Sequence, residues 1–144
     1  TDFQCALGIS QLSKLDQYIS KRRVLARHYL KRLGALSGIE FQNTGNHFES
    51  SACHLMIGLF DFDNLGIEKV NFYNNLKKNG INLAVHYNPI HLHKFYKKKG
   101  FRQGLFPNAE QYYKQAFSLP LHPNLQLEDI DTICNIVIDC LSIV

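Results

Sequence analysis

His86-Tyr87, His91 and His93 lie close together, and the aromatic and basic run Lys94-Phe95-Tyr96-Lys97-Lys98-Lys99-Gly100-Phe101-Arg102 follows at once. An imidazole can donate, accept or carry a proton near neutral pH, so such a cluster suits the binding of phosphate or sugar oxygens. His122 joins it if the corner is compact. Imidazoles at strand ends also satisfy local hydrogen bonds, and the residue types alone leave both readings open. A zinc site is disfavoured. His91 and His93 are two residues apart, a spacing that converges only on an extended segment, and no carboxylate or thiol pattern completes a tetrahedral set. The lysines after His93 read as a solvated face that raises the local potential for an anionic ligand, not as an RNA site.

Elsewhere the chemistry is thin. The chain has no G-x-G-x-x-G fingerprint, Walker loop, H-E-x-x-H or G-x-S-x-G elbow. Asp61 and Asp63 suit a turn and helix start, and Glu128, Asp129 and Asp131 suit the positive end of the last helix. Lys21-Arg22-Arg23 with Arg27 reads as a solvated helix face. Cys5, Cys53, Cys134 and Cys140 have neither metal-ligand spacing nor a basic partner, and they read as reduced, mostly buried thiols. This is too little chemistry for a complete enzyme.

The elements that must position the corner follow from periodicity. Thr1 caps a long helix with Gln4 at the capping-box position, and Leu7, Leu12, Leu15, Ile19, Leu25, Tyr29 and Leu33 continue it from residue 2 to 33. A short strand at 39–41 follows Gly38, and the polar stretch Asn43-Thr44-Gly45-Asn46 turns the chain. Alternation over 52–60 predicts a central strand, 67–78 a helix closed by Gly80, and 81–85 a strand that delivers His86 and Tyr87 at its end. A short helix over 92–99, a helix from Pro107 to Gln115, a strand over 116–121 and a terminal helix over 128–141 complete the order. The fold class is α/β (α+β): a small mixed or antiparallel sheet covered by helices and preceded by a long connecting helix.

Composition sets the outer limits. The chain has 144 residues, 45% hydrophobic and 19% charged, enough for one domain with a real core. The net charge of +4 falls short of a nucleic-acid surface, no run is long and apolar enough for a membrane span, and no signal peptide is evident. A cytoplasmic location without nucleic-acid or membrane partners is expected. The start at Thr1, with a helix beginning at once, predicts a fragment of a longer polypeptide.

Several segments also resemble a known family: Thr1-Asp2-Phe3-Gln4-Cys5-Ala6-Leu7-Gly8 with Gln11-Leu12, Ser51-Ala52-Cys53-His54-Leu55, Gly80-Ile81 through His86-Tyr87-Asn88-Pro89-Ile90-His91, Phe106-Pro107-Asn108-Ala109-Glu110, and Ser118-Leu119-Pro120-Leu121-His122-Pro123. In order and spacing they resemble the carboxyl-terminal part of the pyridoxal-phosphate-dependent nucleotide-sugar aminotransferases, which include perosamine synthases, ArnB-like enzymes and, nearest in appearance, the pseudaminic-acid-pathway transaminase. The resemblance implies a connecting helix at 1–33, the small substrate-side domain of a fold-type I aminotransferase at 34–144, and a large cofactor domain outside this chain. It implies a homodimer with active sites at the subunit interface, pyridoxal phosphate (PLP) held by a lysine upstream of Thr1, glutamate as amino donor, and a UDP- or other nucleotide-linked keto sugar as acceptor in surface-polysaccharide or flagellar-glycan synthesis. Carried onto the matched positions, it makes His86, Tyr87, His91 and Tyr96 substrate-binding. It implies no catalytic, cofactor or metal residue within the chain, so the fragment alone binds no cofactor and is inactive. Two other readings stand beside it: a stand-alone module binding an anion or RNA, and a degenerate aminotransferase-like interaction domain.

Overall fold

In the computed structural model, residues 1–42, 45 and 48–142 are described. The first helix, α1 (Asp2–Leu12), starts with the expected capping box, in which Gln4 N–H donates to Thr1 Oγ1 and the Thr1 amino group donates to Gln4 Oε1 at 2.9 Å. It does not run on to residue 33. At Ser13 and Lys14 the bonding tightens: Lys14 N–H reaches back three residues to Gln11 O, and Ser13 Oγ donates to Ser10 O at 2.9 Å. A serine hydroxyl that competes for the turn's carbonyls interrupts the regular ladder. A second helix, α2 (Leu15–Leu33), therefore begins afresh. It buries Leu25, Ala26, Tyr29 and Leu33 along one face, whereas α1 buries nothing.

Four short strands, β1 (Ile39–Phe41), β2 (Met56–Phe60), β3 (Ala84–Val85) and β4 (Ala116–Leu119), form one sheet in the order β1-β2-β4-β3 with every pair antiparallel. Three strands are shorter than their hydrophobic patterns. Residues 52–55 stay outside β2 because Cys53 takes a left-handed backbone, φ 46°, and its N–H turns to Ser51 Oγ at 3.0 Å. Residues 81–83 are used to close the preceding helix, α4 (Lys69–Lys78): Ile81 N–H donates to Leu76 O, and Gly80 N–H donates to Lys77 O, with Gly80 at φ 82°. That pattern is the left-handed helix stop that favours glycine, and it tucks Ile81 into the core. β4 ends before Pro120, which has no N–H to give a ladder.

The remaining helices are α3 (Phe62–Leu65), α5 (Lys94–Lys97), α6 (Pro107–Gln115) and α7 (Leu127–Leu141). Asp61 starts α3 by accepting from Asn64 N–H, a helical turn where the sequence suggested only a turn and helix start, and the helix expected over 67–78 forms as α4. The helix expected over 92–99 is a 3-10 turn at Ile90–Leu92 followed by α5. The turn expected at Asn43–Asn46 lies outside the described residues except for Gly45.

One face of the sheet packs against α2, α4 and α7. Phe60, Phe72 and Phe117 are fully enclosed there, and with Phe62 they form a cluster whose ring centroids lie 5.1 to 6.2 Å apart. Two polar clasps close its edges. His28 Nε2 donates to Asp131 Oδ1 at 2.8 Å, and Arg32 donates to Asp131 and, at 2.6 Å, to Asn135, tying α2 to α7. The hydrogen bond from His28, aided by Arg32, holds the Asp131 carboxyl below the usual carboxylate range. Asp131 thus pairs across helices instead of acting on its own helix end. Arg23 Nε donates to Ser51 O at 2.8 Å, Arg22 to Ala52 O at 3.3 Å, and Arg27 to Glu49 at 2.5 Å. The basic cluster read as a solvated face instead fastens the segment leading to β2. All four cysteines are free; only Cys5 is exposed, and burial pushes the Cys134 thiol up to about 11.

Candidate functional site

The strand order places β3 at the sheet edge beside β4, so the residue after Val85 emerges at one corner. His86 is 5% exposed there, its Nε2 lies 2.6 Å from Ser118 Oγ, and its ring meets the edge of Tyr87 at 4.8 Å. Tyr87 itself is 73% exposed. Because β3 and β4 are antiparallel, His86 lies toward the Ala116 end of β4, whereas His122 follows Leu119 at the other end. The four-histidine corner suggested by the sequence does not form. His93 points to Asn88 O at 3.1 Å and is exposed.

Pro89 sets the chain into the 3-10 turn that carries His91, with Leu92 N–H donating to Pro89 O at 2.8 Å. His91 is buried, its Nε2 donates to Glu110 Oε1 at 2.8 Å, and its ring lies 4.8 Å from that of Phe106. Glu110 belongs to the first turn of α6 and reaches back over the helix start, where Gly104 N–H donates to it at 2.8 Å. Gly104 has φ 90°, a backbone that other residues rarely adopt, and this turn lets its amide face the carboxylate. The His91 hydrogen bond, helped by the Gly104 and Phe106 amides, holds the Glu110 carboxyl below its usual range.

Between these pieces opens a cleft of about 440 Å³ lined by Pro89, Ile90, His91, Tyr96, Phe101 and Phe106. Its volume falls within the roughly 300–1,000 Å³ of small-molecule sites. Phe101 and Phe106 lie parallel at 6.4 Å, and Tyr96 stands edge-on to Phe101 at 5.8 Å. The walls are apolar, while Lys94, Lys97, Lys98, Lys99 and Arg102 stand exposed on the same segment. Such a cleft can take a flat ring between aromatic faces while cations nearby attract an anionic group.

His91 and Tyr96, both singled out from the sequence, share this cleft; His86 and Tyr87 sit together at the strand end and do not line it. Sequence reasoning missed Glu110 and Ser118 as histidine partners, and it missed Phe101 and Phe106 as walls. The distance along the chain hides these pairs: Glu110 is nineteen residues from His91, and Ser118 is thirty-two from His86. No group of three or more His, Cys, Asp or Glu suited to a metal occurs among the described residues. Lys69 lies apart, at the start of α4. Its ammonium rests 4.6 Å from the Tyr113 ring and 4.7 Å from that of Phe117, and burial pulls its amine down to about 8.

Residues 1–138, which include the whole of this corner, match the DegT/DnrJ/EryC1/StrS aminotransferase family. The chain belongs to that family. It is 33% identical over 132 residues to the UDP-4-amino-4,6-dideoxy-N-acetyl-beta-L-altrosamine transaminase of Campylobacter jejuni, covering 90% of this chain and 34% of that protein. Its fold matches PseC of Helicobacter pylori, an aminotransferase involved in the biosynthesis of pseudoaminic acid, with a TM-score of 0.83 and 30% identity over 96% of this chain and 36% of that one. It also matches the PLP form of the putative sugar aminotransferase Spr1654 of Streptococcus pneumoniae, with a TM-score of 0.84 and 26% identity over 98% of this chain and 36% of that one. The chain spans about a third of the length of these DegT/DnrJ/EryC1/StrS relatives. The small antiparallel sheet among helices is the architecture it shares with the sugar aminotransferases.

Proposed function

We propose that this chain is the substrate-side part of a longer PLP-dependent aminotransferase that passes an amino group from glutamate to a nucleotide-linked keto sugar for a surface glycan. The observation that carries the proposal is the open aromatic cleft at His91, in a family of sugar aminotransferases. An apolar cleft has few groups to satisfy sugar hydroxyls, so it suits the flat, apolar part of such a substrate. The diphosphate then lies toward the exposed lysines and Arg102. Tyr96 supplies one aromatic wall, His91 the polar atom of the cleft, and His86 with Tyr87 the adjoining rim that orients the sugar.

PLP, when bound, supplies the electron sink for moving the amino group. Following the family resemblance, we place the cofactor-holding lysine upstream of Thr1 and assign no cofactor step to this chain. α1 and the start of α2 connect the two parts, the rest of α2 packs onto the small domain of residues 34–144, and two copies pair as a homodimer. We place it in the cytoplasm, where nucleotide sugars and glutamate are drawn on; no helix among the described residues is long and apolar enough to cross a membrane.

The full-length protein provides the test. It is expected to take up PLP, seen as a visible absorbance band, and to aminate a UDP-linked keto sugar with glutamate. In His91→Asn the KM for the nucleotide sugar rises about tenfold while bound PLP is unchanged, the loss expected for one hydrogen bond to a substrate. A full-length protein that does not bind PLP overturns the proposal in favour of a degenerate, non-catalytic relative. An unchanged KM in His91→Asn removes His91 from the site.

A further inference from the structure

We propose that Glu110 is a positioning residue of the cleft: by accepting from His91 and from Gly104 at once, it ties the two walls together and fixes the neutral His91 ring with its proton on Nε2 and an open acceptor at Nδ1. This rests on the proposed substrate site only for its consequence, not for its geometry.

The two walls come from different stretches of chain. Pro89, Ile90 and His91 belong to the 3-10 turn after β3, whereas Phe101 and Phe106 belong to the loop that enters α6. The Glu110 carboxylate bridges them, taking His91 Nε2–H at 2.8 Å on one side and Gly104 N–H at 2.8 Å on the other. Its own N–H donates to Phe106 O at 3.1 Å, so the residue is anchored beneath the wall that it holds. The His91 side of the tie is sheltered, with the His91 side chain 7% and the Glu110 side chain 12% exposed. Sheltering removes competing water and makes the choice of partner decisive.

An ionised carboxylate can only accept, so the proton of a neutral His91 must stand on Nε2. The depressed acidity range of Glu110 agrees with a carboxylate that stays ionised. Among the described residues Nδ1 has no hydrogen-bond partner and no enclosed side-chain nitrogen or oxygen lacks one, so Nδ1 is not enclosed. The neutral ring, which lines the cleft, therefore offers an acceptor. It is matched to an N–H or O–H donor of the ligand and turns away a bare phosphate oxygen. In that form His91 accepts from the ligand, beside the donor role toward phosphate or sugar oxygens that its residue type also allows.

The experiment uses the full-length protein with 15N-labelled histidine, the His91 signals being assigned by their loss in His91→Asn. At about pH 8.5, above the ordinary imidazole range, ring nitrogens with and without a proton separate clearly in 15N shift. Wild type is expected to show His91 as the Nε2–H form alone. E110A is expected to show a mixture of both tautomers and to bind UDP about tenfold more weakly. E110Q keeps an oxygen that can accept from both donors, so it restores the single tautomer and most of the affinity. A wild-type proton on Nδ1, or E110A signals identical to those of wild type, overturns the inference even if one variant fails to fold. Equal UDP affinity in all three proteins likewise overturns the positioning role. A wild type that shows the locked tautomer but binds no UDP strikes the proposed function and leaves the tie between Glu110 and His91 standing.

Discussion

Two aromatic clusters made from the same kinds of residue behave in opposite ways. Under the sheet, Phe60, Phe72 and Phe117 have no exposed surface and touch one another and Phe62 on several sides. At the corner, Phe95, Phe101 and Phe106 keep 62%, 37% and 47% of their surface exposed, and Tyr96 keeps 36%. The first cluster is closed by helices on the far side; the second is held by a polar tie through Glu110 and is left open. Enclosed rings convert their area into stability, whereas open rings keep theirs for a ligand. Residue type does not separate core from site here. What separates them is whether a neighbouring element covers the rings.

The contrast breaks most sharply at Phe117. Truncation to alanine removes a ring packed against Phe60, Phe72 and Tyr73, and a buried Phe→Ala change costs about 3–5 kcal/mol. Amide hydrogen exchange in the full-length protein is expected to quicken by orders of magnitude in α4 and α7. If those helices kept their protection, the phenylalanine cluster would not be what holds the domain. Phe106→Ala is the opposite case. Its loss leaves a partly exposed position and costs about 1 kcal/mol or less in stability. The KM for a nucleotide sugar is nevertheless expected to rise about tenfold, the scale of one aromatic stacking contact. Equal and large stability losses in both variants, with no change in KM, would erase the distinction.

The sequence revealed much of the scaffold and less of the site. Element order, the capping box at Thr1, the start of α6 at Pro107 and the stop at Gly80 were legible because each depends on near neighbours. Strand ends were overrun because hydrophobic alternation continues through Cys53, Ile81 and Leu121, while backbone geometry at Cys53, the helix stop at Ile81 and Pro120 end the pairing. Ile81 shows the limit well: its apolar side chain is used, but to cap α4 and not to extend β3. At the site, His86 and His91 were visible as residue types, but their partners lie on α6 and β4. Whether an imidazole donates or accepts is decided by that partner. Residue types and spacing pointed to the corner; only the fold showed that His91 and Tyr96 share a cleft and that His122 does not.

The smallest effect expected is a pH response that also separates the two regions. Asp131 in the α2–α7 clasp and Glu110 at the corner both have their carboxyl ionisation shifted downward, in each case chiefly by a histidine hydrogen bond. A carboxyl whose folded value is depressed stabilises the fold at every pH above its unfolded value and loses that contribution as pH falls through the folded value. With unfolded values near 4, both contributions are intact at neutrality and fade only below about pH 4. Asp131 is 40% exposed, so solvent weakens its pairing with His28 and Arg32 and its effect is modest. Asp131→Asn should therefore remove the acid-induced rise in exchange, corrected for intrinsic rates, from facing amides of α2 and α7 while leaving the rise at residues 101–110. E110Q should do the reverse. Were either variant to flatten both responses, the corner and the core would have to be one cooperative unit, and the separation between a closed and an open aromatic cluster would not extend to their dynamics.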